Sequence, residues 1–92
     1  MESSDSANLR DIADRLSANG FHAHIRHDGT TPLLFALGAK KSHSVDFRRR
    51  DNALVIEYWY GYPDDDFIPE QVVPTFEAAF DPISAWLARD AT

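Results

Sequence analysis

Asn52 to Tyr62 reads NALVIEYWYGY, a run of β-branched and aromatic residues that ends at Gly61-Tyr62-Pro63. Such residues fit a pleated, half-buried surface, so the stretch reads as a strand. Its period of two puts Leu54, Ile56, Tyr58 and Tyr60 on one face and Val55, Glu57 and Trp59 on the other. The first set can line a core. The second places a carboxylate beside an indole, which suits a contact surface.

Working backward, His43 to Arg48 alternates in the same way, with Val45 and Phe47 inward and Ser44, Asp46 and Arg48 outward. Arg49 to Asn52 joins the two strands. A tight loop at Asp51-Asn52 opposes Asp46 to Glu57, whereas a slip of two residues opposes Arg48 to Glu57, the register that charge favours. Phe21 to Arg26 is another alternating strand, with His22, His24 and Arg26 outward. A three-residue loop at His27-Asp28-Gly29 pairs Ala23 with Leu33 and Phe21 with Phe35. It gathers Leu33, Phe35 and Leu37 into the core and leaves Leu34 and Ala36 on the histidine face. Before these strands, Leu9, Ile12, Ala13 and Leu16 make one helical stripe. Ser6 is the expected N-cap, Met1 to Ser6 are expected to fray, and Asn19-Gly20 stops the helix with Phe21 folding back onto its last turn.

Working forward, Gly61 to Ile68 is expected as an acidic loop. From Pro69 the spacing of Val72, Phe76, Phe80, Ile83 and Leu87 becomes helical, and Pro82 is expected to break that helix, with Asp81 capping a restart. The predicted fold is therefore α+β, in the order α-β-β-β-β-α. A four-stranded antiparallel meander is covered on one face by the N-terminal helix and a Pro-broken C-terminal helix, and its other face is open.

Composition narrows the function. A chain of 92 residues makes one domain, burying roughly 60 to 68% of its unfolded surface. Without Cys there is no disulfide framework, thiolate metal site or thiol nucleophile. The longest apolar run, Leu33 to Leu37, is far short of a membrane span, and the start of the chain lacks signal-peptide character, so a cytoplasmic location is expected. The net charge of −6 opposes nucleic-acid backbone and anionic lipid and favours a basic partner surface.

The chemical motifs are sparse. His22 and His24 project to one side of a strand, as some zinc sites require, but no third ligand accompanies them. Asp64-Asp65-Asp66 lacks the spacing of a calcium loop. Lys40-Lys41 and Arg48-Arg49-Arg50 could contact phosphates, and the helix–strands–helix order is similar to that of a double-stranded RNA-binding module. Against that, Glu70, Glu77, Asp81 and Asp90 stand where such a module needs lysines. No nucleophile with a base, phosphate loop or carboxylate pair suggests catalysis, and no cofactor is implied.

The expectation is a small acidic module, of inhibitor, immunity or chaperone type, that binds a basic protein surface. The contact residues are Trp59, Glu57, Val55, His22, His24, Leu34, Asp46 and Arg48 on the open face. A homodimer is compatible with this. The alternatives are nucleic-acid binding through Lys40, Lys41 and Arg48 to Arg50, or a weak histidine metal site. Trp59 itself has two readings, interface anchor or core residue beneath the 61–69 loop or final helix, and Trp59→Ser separates them by its cost in stability.

Overall fold

The computed structural model describes residues 4–61 and 66–89. It contains α1 (Ser4–Ala18), β1 (His22–Asp28), β2 (Thr31–Leu37), β3 (His43–Arg50), β4 (Ala53–Tyr60), β5 (Asp66–Val73) and α2 (Phe76–Ala88). The strands form one antiparallel sheet in the order β1-β2-β3-β4-β5. Both helices pack on the same face. There α1 lies over β1 and β2 while α2 lies over β3, β4 and β5.

The core forms where the apolar stripes meet. Leu9, Ile12, Ala13 and Leu16 of α1 and Ala79, Ile83 and Leu87 of α2 close onto Leu34, Ala36, Val45, Phe47, Leu54, Ile56, Tyr58 and Val73 of the sheet. Arg15 also bridges the helices, 3.1 Å from Glu77 with its guanidinium 4.1 Å from the Phe80 ring centroid. The end of α1 follows its sequence. Phe21 N–H donates to Leu16 O and Gly20 N–H to Ser17 O, a Schellman end that needs Gly20 at its positive φ of 91°.

Several expectations are corrected. Helix α1 begins by Ser4 instead of being capped at Ser6, and Asp5 in its first turn accepts hydrogen bonds from Arg49 at 2.8 and 3.2 Å. That pairing favours the helix N-terminus, where negative charge is stabilising. The fraying expected for residues 1–3 lies outside the described residues.

The β1–β2 loop is two residues long, Gly29-Thr30, with Gly29 at φ 64°. Ala23 therefore faces Ala36 and Ile25 faces Leu34. This reverses the expected faces of β2. Leu34 and Ala36 are core, while Leu33, Phe35 and Leu37 lie on the side away from the helices. A glycine at positive φ in first position of a two-residue loop matches the twist of the strands, and that match set the register.

The β3–β4 loop is tight as well. Asp51 and Asn52 both have positive φ, 52° and 65°, the backbone of a type I′ hairpin, and Asp46 opposes Glu57. Charge had favoured the slipped register, but a directly opposed like pair costs only about 0.2 to 1 kcal/mol. Turn geometry outweighs it.

Beyond β4 a fifth strand, Asp66–Val73, takes the last three residues of the expected loop and the first turn of the helix expected from Pro69. Between Ile56 opposite Gln71 and Tyr58 opposite Ile68, β5 carries one extra residue, a bulge containing Pro69. Edge strands and bulges are where a residue without an N–H is tolerated. Asp64 and Asp65 lie outside the described residues.

Helix α2 is continuous through Pro82. Thr75 caps it, accepting from Ala78 N–H at 3.0 Å. Pro82 forfeits one hydrogen bond to the preceding turn. Burial of Ala79, Ile83 and Leu87 on either side of it carries the helix across that gap.

Candidate functional site

Among the described residues no helix lies over the sheet's second face, and nearly all the expected contact residues lie there. His22, His24, Asp46, Arg48, Val55, Glu57 and Trp59 share that face. Leu34 does not: it is 0% exposed and packs in the core. Its place is taken by Leu33, Phe35 and Leu37, all half-buried. Val72 of β5, opposite Val55, adds an apolar side chain 64% exposed. Trp59 is half-buried on this face, so it is not core beneath α2.

Charges on this face form a chain of alternating sign. Arg48 reaches Asp28 at 3.2 Å and Glu57 at 3.8 Å, and Arg50 reaches Glu57 at 3.8 Å and also bonds Glu70. The repulsion between Asp46 and Glu57 is thus offset diagonally rather than by register. Val55 lies between Arg48 and Val72 and is only 4% exposed with no helix over it. Long side chains such as Arg can lay their methylene stems over apolar neighbours, which accounts for its burial.

At the β1–β2 end, Arg26 lies over Phe35 with its guanidinium carbon 3.9 Å from the ring centroid, and its Nε donates to His24 Nε2 at 3.1 Å. The His24 and Phe35 ring centroids are 5.4 Å apart. Between these side chains and Trp59 is a depression of about 210 Å³ lined by Arg26, Phe35, Ser44, Asp46 and Trp59. Burial raises the Asp46 carboxyl pKa, as does Glu57, while Arg26, Arg48 and the Trp59 side chain oppose the rise. On the helix side, burial raises the Tyr58 phenol, which donates to Gln71 Oε1 at 2.6 Å.

The basic residues do not form one surface. Lys40 and Lys41 sit in the turn before β3 and Arg48 to Arg50 at its far end, roughly 20 Å away at about 3.3 Å per residue. All three arginines hold carboxylates of this chain: Arg48 with Asp28 and Glu57, Arg49 with Asp5, Arg50 with Glu57 and Glu70. Among the described residues no group of three His, Asp or Glu side chains is arranged to hold a metal ion. No helix among them is long and apolar enough to cross a membrane.

Leu33, Phe35 and Leu37 are the residues of this face that sequence reasoning assigned to the core. The signal was present in TPLLFAL, apolar at consecutive positions from Pro32 to Leu37 and so able to face either way. No protein-family model matches the chain, nor does any curated protein or solved structure.

Proposed function

We propose that the chain is a protein-binding module that covers a basic surface of its partner with the helix-free face of its sheet, as an inhibitor, immunity-type or chaperone-like protein does. The observation that carries this reading is the row Leu33, Phe35, Leu37, Trp59 and Val72, apolar side chains left at least partly open among paired charges. An aromatic anchor inside a polar, charged rim is the composition of an interface, whereas a solvated sheet face favours small polar and charged residues. The charge of −6 steers a basic partner toward it. Nucleic acid is the less favoured partner, because a phosphate would have to displace carboxylates already held by Arg48, Arg49 and Arg50.

A photo-crosslinking residue placed at Val72, with Asp14 on the exposed side of α1 as control, tests the reading in source cells. A discrete protein adduct from position 72 alone, reduced by salt during capture, is the expected result. Equal adducts from both positions, or micromolar binding to generic DNA or RNA at low salt, overturn it.

A further inference from the structure

Ion pairing on the open face leaves one carboxylate outside the chain of charges. Arg48 and Arg50 are engaged with Asp28, Glu57 and Glu70. Asp46 makes no ion pair within 4 Å among the described residues, although it directly opposes Glu57. Arg26, the cation that shares its depression, is held against the Phe35 ring and His24. The depression thus combines two aromatic side chains, Trp59 and Phe35, with a carboxylate on which Arg26 and Arg48 act only from beyond ion-pair distance.

Its volume of about 210 Å³ is under the roughly 300 to 1,000 Å³ of small-molecule sites and suits a single side chain. The ring faces and the carboxylate both attract a cation. A planar guanidinium can stack flat on an indole while its edge offers a carboxylate two parallel N–H donors, whereas an ammonium has neither the flat face nor the fork. The chain itself places Arg15 on Phe80, Arg26 on Phe35 and Arg89 on Trp86, with guanidinium carbons 4.1, 3.9 and 5.4 Å from the ring centroids.

We propose that the depression between Trp59, Phe35 and Asp46 is the anchor point of the face, and that its occupant is the guanidinium of an arginine side chain on the partner protein. The assignment rests on the protein-binding reading and names the partner chemistry at its centre. Arg26, at the rim, opposes a second cation and limits how tightly the site binds. An incoming guanidinium supplies Asp46 with a cation at hydrogen-bond distance, which Arg26 and Arg48 do not.

The test is titration of the whole chain with N-acetyl-arginine amide, followed by NMR at the two tryptophan indole N–H signals, assigned with Trp59→Phe. N-acetyl-lysine amide, the neutral citrulline amide and inorganic phosphate are the comparison ligands. Saturable shifts at Trp59 but not Trp86, strongest for arginine and absent for citrulline and phosphate, are expected. Asp46→Asn should weaken arginine binding about tenfold, the usual scale for losing a charge-assisted contact, and Arg26→Gln should strengthen it. Equal responses to citrulline, an equal or stronger response to lysine, phosphate binding abolished by Arg26→Gln, or indifference to Asp46→Asn each overturn the assignment. Cross-linking through position 72 with arginine amide inert overturns the anchor while the protein-binding face stands. Loss of both overturns both.

Discussion

The two faces of the sheet solve the same problem in different ways. On the helix side the buried residues from Leu34 to Val73 are apolar apart from the Tyr58 hydroxyl, with Arg49 and Gln71 at the exposed margin, and α1 and α2 cover them. On the far side no secondary element among the described residues covers the sheet, and side chains cover one another: Arg48 lies beside Val55, Arg26 lies on Phe35, and carboxylates hold Arg48 and Arg50 in place. The difference puts most of the fully buried apolar side chains, and with them most of the hydrophobic stabilisation, on the helix side. Burial by helices is supplied by the chain's own topology, whereas cover by charged side chains is what a partner's surface would replace on the proposed reading.

The sharpest way to break this comparison is to truncate equivalent aromatics on the two sides. Phe47→Ala removes a fully buried ring packed near Phe76 at 5.8 Å between centroids, and should lower unfolding free energy by about 3 to 5 kcal/mol. Trp59→Ser removes a larger side chain that is only half-buried, so its cost should be smaller, about 1 to 2 kcal/mol, a little above the value under about 1 kcal/mol expected of a bare interface residue. Urea melts of the two variants measure the contrast. Equal losses would mean that the far face is a second core, and the proposed binding surface would fall.

The sequence made one of these faces far easier to see than the other. The face of β4 was legible because Glu57 interrupts one side of the alternation, and the end of α1 because Gly20 and Phe21 have few other roles after a helical stripe. In β2 the alternation carries no information, since Leu33, Leu34, Phe35, Ala36 and Leu37 are all apolar. A wish to gather the larger residues into one core chose the wrong loop, and Gly29 at φ 64° decided otherwise. Strand β5 was hidden by Pro69, which argues against a strand in general but not at a bulge on an edge. The open-face residues of β1, β3 and β4 were legible because their placement depends only on parity. Phe35 was not, because its face depends on a turn.

A smaller effect should follow from removing the cover of the far face. Arg48→Ala takes away the partner of Asp28 and Glu57 and bares Val55. It should destabilise by about 1 kcal/mol, since exposed ion pairs contribute little and most of the loss is packing by the side-chain stem. Arg48→Met keeps a stem without the charge and should recover more than half of that loss in the same melts. Failure of Met to recover it would make the charge chain, not the cover, the stabilising feature.

The smallest effect has the opposite sign and isolates the one carboxylate outside the charge chain. Burial and Glu57 raise the folded-state pKa of Asp46 above 3.8, the ordinary value. A carboxyl whose folded pKa exceeds its unfolded pKa binds protons more tightly when folded, so its ionisation works against folding. The penalty is absent below the unfolded pKa, develops as pH rises through the interval between the two values, and is complete above the folded one. Asp46→Asn removes the charge and keeps an oxygen that can accept from the Trp59 indole. At pH 7 the variant should be more stable than the parent chain by about 0.5 kcal/mol, the scale of one like-charge cross-strand pair. The gain should shrink toward zero as pH falls to about 3, below the usual aspartate range. Urea midpoints of the two chains, compared at pH 7 and at pH 3, measure it. A variant less stable than the parent at pH 7 would mean that Arg26 and Arg48 already compensate Asp46, leaving no unmet charge for a partner's arginine to answer.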